Sequence, residues 1–321
     1  MKIRAAVVGV GYLGNFHVQK YRALPAVEVV GIVDTNSARL REIADHYQIP
    51  AYAELTPLLG QVDIVSIVTP PPQHFATARA CLEAGIHVLV EKPVTETIDE
   101  AQILIDLARR HGCVFQVGHL ERFNPAVIAV RERINQPYRI EASRLSKYQK
   151  RGTEVDVVLD LMIHDIDIVA SLVASPVVEL AAHGAIVVTG DIDVAHATIH
   201  FANGCVAELA ASRVHREPVR SMLVYQKDSY ISVDYLTHTL LCGALDSAGC
   251  QAAPASVEFE THTLARTDVL MDEIMSFVAA VRHGRAPAVS GEDGKRALEL
   301  AVEISQLIRH QQRLPRDAQA R

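Results

Sequence analysis

Short, mostly apolar runs alternate with amphipathic stretches over the first 121 residues. Lys2 to Val8, Val27 to Val33, Val62 to Val68, Ile86 to Val90 and Val114 to Val117 read as strands. Asn15 to Leu24, Ser37 to Tyr47, Leu55 to Leu59, His74 to Ala84 and Thr95 to His111 read as helices, with Pro50, Gly85 and Gly112 among their stops. A strand buried on both faces shows no polar alternation, and parallel strands need a crossover between them. The pattern therefore predicts an α/β domain, residues 1–121, with a doubly wound parallel sheet. Beyond it the pattern changes. Pro125 to Ile134 and Asp156 to Val173 read as helices, and Tyr138 to Tyr148 as a basic strand. From Val177 to about Phe259 alternating runs are cut by turn residues. Asn203-Gly204, between Ala195–Phe201 and Cys205–Arg213, is a hairpin signal. Gly243 to Ala255 reads as a small-residue loop, Asp268 to Arg282 and Gly294 to Arg313 as closing helices, and the last eight residues as frayed. The expectation for residues 122–321 is an α+β domain with an open-faced, mainly antiparallel sheet.

The first strand runs into Gly9-Val10-Gly11-Tyr12-Leu13-Gly14, and the second stops at Asp34, twenty residues after Gly14. Strand, G-x-G-x-x-G, helix, strand and acid in this order form a Rossmann dinucleotide-binding fingerprint. Gly9 allows the tight turn, Gly11 lets a pyrophosphate approach, and Gly14 lets helix and strand pack. The free N–H groups of the helix start face the anion. Asp34 can accept from both ribose hydroxyls and would repel a 2′-phosphate, so the expected cofactor is NAD rather than NADP. Arg39, five residues on, is the residue able to oppose that preference. The third strand ends in Thr69-Pro70-Pro71-Pro72-Gln73-His74. Proline cannot continue a ladder, so this loop lies at the carboxyl edge, where such sheets bind ligands. Thr69, Pro70, Pro71 and His74, with Glu91 and Lys92 at the end of the fourth strand, join Gly9, Gly11, Tyr12, Leu13, Gly14 and Asp34 as expected cofactor contacts.

Charge and composition narrow the chemistry. The 321 residues carry 31 Lys and Arg against 38 Asp and Glu, a net charge of −7. That argues against nucleic acid or an anionic membrane as partner, and an anionic substrate would need a local basic cluster. Two clusters qualify: Arg144, Lys147, Lys150 and Arg151, and Arg213, His215, Arg216 and Arg220. The five cysteines form no C-x-x-C, as expected of free thiols in a cytoplasmic protein. Fifteen histidines form no metal-ligand motif, so no metal is expected.

Two segments carry the chemistry. The fourth strand leads into Glu91-Lys92-Pro93. A partly desolvated Lys92 at the sheet edge can hydrogen-bond a substrate hydroxyl and favour its deprotonated form. In Leu159-Asp160-Leu161-Met162-Ile163-His164-Asp165, the spacing of four puts Asp160 and His164 on one helical face. An Asp beside a His orients the imidazole and raises its basicity, so the ring can take a hydroxyl proton. Asp165 and Asp167 are alternatives on neighbouring faces.

Gly9-x-Gly11-x-x-Gly14, Glu91-Lys92-Pro93 and Asp160-x-x-x-His164 together resemble the Gfo/Idh/MocA oxidoreductases over nearly the whole chain. The resemblance implies a Rossmann domain followed by an open-sheet domain, NAD as cofactor, and catalysis by Lys92, Asp160 and His164. The family often has a glycine run before the Asp, where this chain has Asp156-Val157-Val158-Leu159. Gly118-His119-Leu120-Glu121-Arg122-Phe123-Asn124-Pro125 and the Asp160 segment are similar to the branch that oxidises the 3-hydroxyl of UDP-N-acetylglucosamine. An aminotransferase then acts on the ketone, in diamino-sugar lipid A synthesis. That resemblance implies a nucleotide-sugar substrate held by Lys92, His119, Arg122, Phe123, Asn124, Arg144, Lys147, Arg151, Asp160, His164 and Arg213. It also implies a homo-oligomer, dimer or tetramer, formed through the open sheet. Two other readings stand: a dehydrogenase of another sugar, inositol or UDP-sugar acid, and a non-catalytic NAD-binding sensor. Neither a free polyol nor a sensor needs the whole set of basic and catalytic residues.

Overall fold

The computed structural model describes residues 2–149, 155–227, 229–245 and 257–313. The chain forms two units: residues 1–123 with 268–298, and residues 124–267 with 299–321.

In the first unit, β1 (Ile3–Val8), α1 (Tyr12–Ala23), β2 (Val27–Val33), α2 (Ser37–Tyr47) and β3 (Ala51–Tyr52) form one half. β4 (Ile64–Ile67), α3 (His74–Glu83), β5 (His87–Glu91), α4 (Ile98–His111) and β6 (Phe115–Gly118) form the other. All six strands are parallel, in the order β3-β2-β1-β4-β5-β6, the doubly wound arrangement the apolar runs predict. The order reverses between β1 and β4, which opens a crevice at their carboxyl ends. The expected helix at Leu55–Leu59 is a 3₁₀ turn, Thr56–Leu58, begun around Pro57. The helix expected from Thr95 starts instead at Ile98, because Thr97 and Glu100 make a reciprocal capping box.

The second unit holds α5 (Pro125–Arg133), β7 (Arg139–Leu145), α6 (Ile163–Leu172), β8 (Val177–Ala185), β9 (Val194–Phe201) and β10 (Val206–Ser212). It continues with β11 (Val219–Gln226), β12 (Ser229–Asp234), β13 (Thr239–Leu245) and β14 (Val257–Thr263). The sheet order is β14-β13-β12-β11-β7-β10-β9-β8, antiparallel throughout except for β10 beside β7. Asn203-Gly204 makes the β9–β10 turn, with Gly204 at φ +88°. Alternation is regular: Ala195, Ala197, Ile199 and Phe201 are buried, as are Ile140, Ala142, Met222 and Val224. Of the small-residue loop expected at Gly243–Ala255, residues 243–245 end β13; 246–256 and the last eight residues lie outside the described ones.

The two closing helices are α7 (Val269–His283) and α8 (Gly291–Arg313). Chain order places both in the second domain, 122–321, yet residues 268–298 pack with the first unit. The reason is the apolar side of α7, which buries Ile274, Phe277 and Val278 in one cluster with Val7, Tyr21, Ile64 and Leu89. Among the described residues no helix is long and apolar enough to cross a membrane.

Candidate active site

The glycine loop builds the first part of the site. Gly9 sits at φ +85°, and a Cβ there would meet the Val68 carbonyl oxygen at 2.6 Å. A Cβ on Gly14 would lie 1.8 Å from the Gly9 oxygen, so only glycine lets α1 start this close to β1. Gly11 is different, since a Cβ there would meet nothing within 4 Å. The protein itself leaves that space open, as a cradle for a pyrophosphate requires. Beside it lies a cleft of about 250 Å³, lined by Gly9, Gly11, Asp34, Thr69 and Pro70. Thr35 and Gln73 also line it, although no sequence motif marks them.

Asp34 closes the loop. Its Oδ2 accepts from the Val10 N–H and its Oδ1 from the Asn36 N–H, both at 2.8 Å. Arg39 is turned to the same loop. Its Nε donates to the Val10 carbonyl at 3.0 Å and its Nη1 to Glu42 at 2.7 Å. These bonds engage the guanidinium that would otherwise favour a 2′-phosphate. Tyr12 and Leu13, at the start of α1, are exposed. The residues present therefore fit a dinucleotide with a free ribose 2′-hydroxyl.

Lys92 leaves the end of β5, half-buried, followed by a cis Lys92–Pro93 peptide. His74 differs from its expected role as a cofactor contact. It is buried, with Nδ1 2.8 Å from the Pro93 carbonyl and Nε2 2.8 Å from the Thr69 carbonyl. Its ring braces the Thr69 loop against the Lys92-Pro93 segment. Pro71 opens a 3₁₀ turn, Pro71–Gln73, that carries Gln73 to the cleft.

In the second unit, Asp156 starts the chemically marked segment. Its Oδ1 accepts from the N–H groups of Val158 and Leu159, each at 3.0 Å. Arg309 bridges its Oδ2 to Asp191. The winding that follows is a π turn, Val158–Met162, before α6. The α-helical rule that put Asp160 and His164 on one face therefore does not describe this stretch. Short π segments are frequent at functional sites. Burial separates the candidates: Asp160 and His164 are half-buried, whereas Asp165 and Asp167 are buried. Arg144 takes Asp165 in two bonds, of 3.0 and 2.9 Å. Asp160 lies 3.8 Å from Arg213 Nη2, which also donates to the Val155 carbonyl at 2.8 Å. The Nε and Nη1 of Arg213 have no hydrogen-bond partner among the described residues.

Two family models match the chain. One, described as the oxidoreductase family with an NAD-binding Rossmann fold, covers residues 3–119. The other, the GFO/IDH/MocA C-terminal domain, covers residues 126–231. The chain belongs to the Gfo/Idh/MocA oxidoreductase family. Its first unit is the family's NAD-binding domain. The chain is 39% identical to UDP-N-acetylglucosamine 3-dehydrogenase of Acidithiobacillus ferrooxidans, over 94% of this chain and 96% of the relative. A solved structure of that enzyme superposes with a TM-score of 0.92 at 37% identity, covering 98% of this chain and 100% of that one. An NAD(+)-dependent scyllo-inositol 2-dehydrogenase of Bacillus subtilis is 25% identical over 96% of this chain and 95% of its own. Scyllo-inositol dehydrogenase of Lactobacillus casei, solved with NAD(H) and scyllo-inositol, shares the fold with a TM-score of 0.82 at 17% identity, over 97% and 98% of the two chains.

Within this Gfo/Idh/MocA chain several expected substrate contacts have other work. Arg144 is held in its buried pair with Asp165, both side chains 4% exposed, and is not available to a diphosphate. Asn124 caps α5, its Oδ1 accepting from the Ala126 N–H at 3.0 Å. Arg122 is mostly buried, 3.7 Å from Asp293. His119 is buried, and Phe123 ends the 3₁₀ turn Leu120–Phe123. Lys147 is exposed and pairs with Glu217 at 3.1 Å. Lys150 and Arg151 lie outside the described residues. Sequence reasoning began the helix at Asp156 but gave that residue no role, although an Asp just before an apolar helical run is a capping signal.

Proposed function

We propose that this oxidoreductase uses NAD to oxidise the 3-hydroxyl of UDP-N-acetylglucosamine to the 3-keto sugar. The observation that carries the reading is the near-full-length, 39% identity to an enzyme named for that reaction, in a chain that has Lys92, Asp160 and His164. NAD, when bound, accepts the hydride. His164 takes the proton of the 3-hydroxyl, and Lys92 stabilises the developing alkoxide. Asp160 orients this set, beside Arg213. With Arg144 committed to Asp165, the diphosphate is left to other cations of the two basic clusters, Arg213 and Lys147 among them. NAD is preferred over NADP because Asp34 faces the cleft and Arg39 is occupied. The product ketone would pass to an aminotransferase in diamino-sugar lipid A synthesis, a cytoplasmic route. Self-association uses the open face of the second sheet, where Leu223, Tyr225, Tyr230 and Leu241 are only half-buried; light scattering on the purified protein tests it.

The deciding experiment follows NADH absorbance with NAD and UDP-N-acetylglucosamine, UDP-glucuronic acid or scyllo-inositol. Turnover with the first alone is expected. Turnover with the acid or inositol instead moves the protein to that substrate class, and no turnover with any supports a sensor.

A further inference from the structure

One face of the first sheet becomes polar at its carboxyl end. Ala5 and Val7 of β1, Ile64 of β4 and Leu89 of β5 belong to its apolar cluster. Two residues further along the last two strands stand Ser66 and Glu91. Over them, α1 places His17 and Tyr21, both fully buried. Tyr21 Oη lies 2.8 Å from Ser66 Oγ, Ser66 Oγ 3.1 Å from His17 Nδ1, and His17 Nε2 3.2 Å from Glu91 Oε1. A carboxylate only accepts, so His17 Nε2 donates to Glu91. Nδ1 then accepts from the Ser66 hydroxyl, and Ser66 accepts from Tyr21. The chain of bonds closes with one direction throughout. Glu91 is also fixed from its far side, because its carboxyl packs on Gly118, where a Cβ would stand 2.9 Å from it.

α7 adds one more acid. Glu273 is fully buried, one residue before the apolar Ile274. Neither of its carboxyl oxygens has a hydrogen-bond partner among the described residues. Gln116 of β6 donates from Nε2 to the Glu273 backbone carbonyl at 3.4 Å, which ties the acid's position to the strand beside β5. Burial first, and then the charge of Glu91, hold the Glu273 carboxyl well above the usual range. The charged and titratable groups on the elements packed around it are Tyr12, His17, Lys20, Tyr21 and Arg22 on α1, His87 and Glu91 on β5, and Glu121 and Arg122 on the 3₁₀ turn. Lys20 is engaged by Asp268 at 2.6 Å and Arg122 lies near Asp293. Burial also pushes the Tyr21 phenol up.

We propose that Glu273 is a positioning residue for Lys92, acting through Glu91. The proposal rests on Lys92 being the catalytic lysine named above. Glu91 directly precedes Lys92 and ends the same strand. While Glu273 keeps its proton, the two carboxyls carry one negative charge between them. Loss of that proton adds a second negative charge in the core at the root of Lys92. That charge holds the ammonium more tightly and repels the cofactor's pyrophosphate. Neither the fold nor the glycine loop needs an acid at this position; a glutamine would fill the space.

The test compares the wild-type protein with Glu273→Gln, which mimics the protonated acid. The folded protein holds this proton above the ordinary carboxyl range, so folding stability falls as pH rises above that range. The amide removes the loss, and the variant should melt at or above the wild-type temperature in mildly alkaline buffer. At neutral pH the infrared spectrum of the wild type should contain a protonated-carboxyl band that Glu273→Gln lacks. On raising the pH, wild-type NADH affinity should weaken on the order of ten-fold as that band disappears, and the variant's affinity should stay level. A band that persists in Glu273→Gln, its absence from the neutral wild type, or superimposable NADH profiles would overturn the proposal. If band and profile behave as described but no sugar is oxidised, the Glu273 assignment stands and the substrate reading falls.

Discussion

Arg144 grips Asp165 through two hydrogen bonds, of 3.0 and 2.9 Å, with both side chains 4% exposed. The bonds join β7 to α6 inside the second unit. Removing one partner of such a pair leaves an uncompensated buried charge, which costs about 3–5 kcal/mol. Arg144→Ala should therefore lower the denaturant midpoint steeply. Its effect on substrate KM should not exceed what the stability loss explains. A stable Arg144→Ala protein with a KM raised ten-fold or more, by about one charge-assisted contact, would return this arginine to the substrate.

The second and third glycines of the loop should separate folding from binding. In Gly14→Ala the new Cβ meets the Gly9 backbone at 1.8 Å, so the protein should lose about 1–3 kcal/mol or more. In Gly11→Ala it meets nothing, so apoprotein stability should change by less than about 0.5 kcal/mol. NADH fluorescence titration should nevertheless show affinity falling by about ten-fold or more in Gly11→Ala, because the methyl occupies the pyrophosphate's approach. Unchanged affinity would place the pyrophosphate elsewhere.

Asp34→Ala should weaken NAD binding by roughly ten- to a hundred-fold, the scale of a charge-assisted hydrogen bond. It should weaken NADP binding less, since the repulsion of a 2′-phosphate goes with the carboxylate. Isothermal titration of both cofactors measures the ratio. Equal affinity of the wild type for NAD and NADP would defeat this reading of Asp34 and of the engaged Arg39.

Lys92→Ala and His164→Ala should each lose kcat by ~10²–10⁴-fold while still binding NAD. The residual activity of His164→Ala should also lack the acid-side limb of the pH profile, as no imidazole remains to be protonated. If that limb survives in His164→Ala and vanishes in Lys92→Ala, Lys92 is the base and the two roles exchange.

Asp193 predicts a pH effect on stability. Burial opposes its charge, but the Thr189 hydroxyl and the N–H groups of Thr189, Val188 and Val187 outweigh burial and bring it down to about 2. The folded value is depressed, so the stabilisation is complete above the ordinary carboxylate range and is lost as pH falls through that range toward 2. It amounts to on the order of 2 kcal/mol. Asp193→Asn should unfold more readily at neutral pH, and its stability should fall less on acidification than that of the wild type. Parallel pH curves for the two proteins would disprove the assignment.

The local pattern alone determined much of this protein. Alternating apolar runs and helices specify a parallel sheet, because a strand covered on both faces must be apolar and its neighbour must be reached by a crossover. The spacing from Gly9 to Asp34 specifies the cofactor loop, since strand, glycines, helix start and acid follow one another in a single continuous stretch. Asn203-Gly204 specifies its own hairpin. These features depend on neighbours close in sequence. What tertiary structure decided depends on neighbours far away. No local signal says that α7 returns to the first unit. Nor does any say that Asp165, one residue from His164, is spent on Arg144 twenty-one positions earlier. His74 looks like a loop ligand in the sequence, and becomes a brace only because Pro93 folds against it. The winding at Asp160 is set by the cap at Asp156, itself pinned from Arg309. Glu273 reads as an ordinary acid on an amphipathic helix. Only the burial of α7 against the sheet makes it an acid without a hydrogen-bond partner among the described residues, because a side chain's charge is settled by what surrounds it in space.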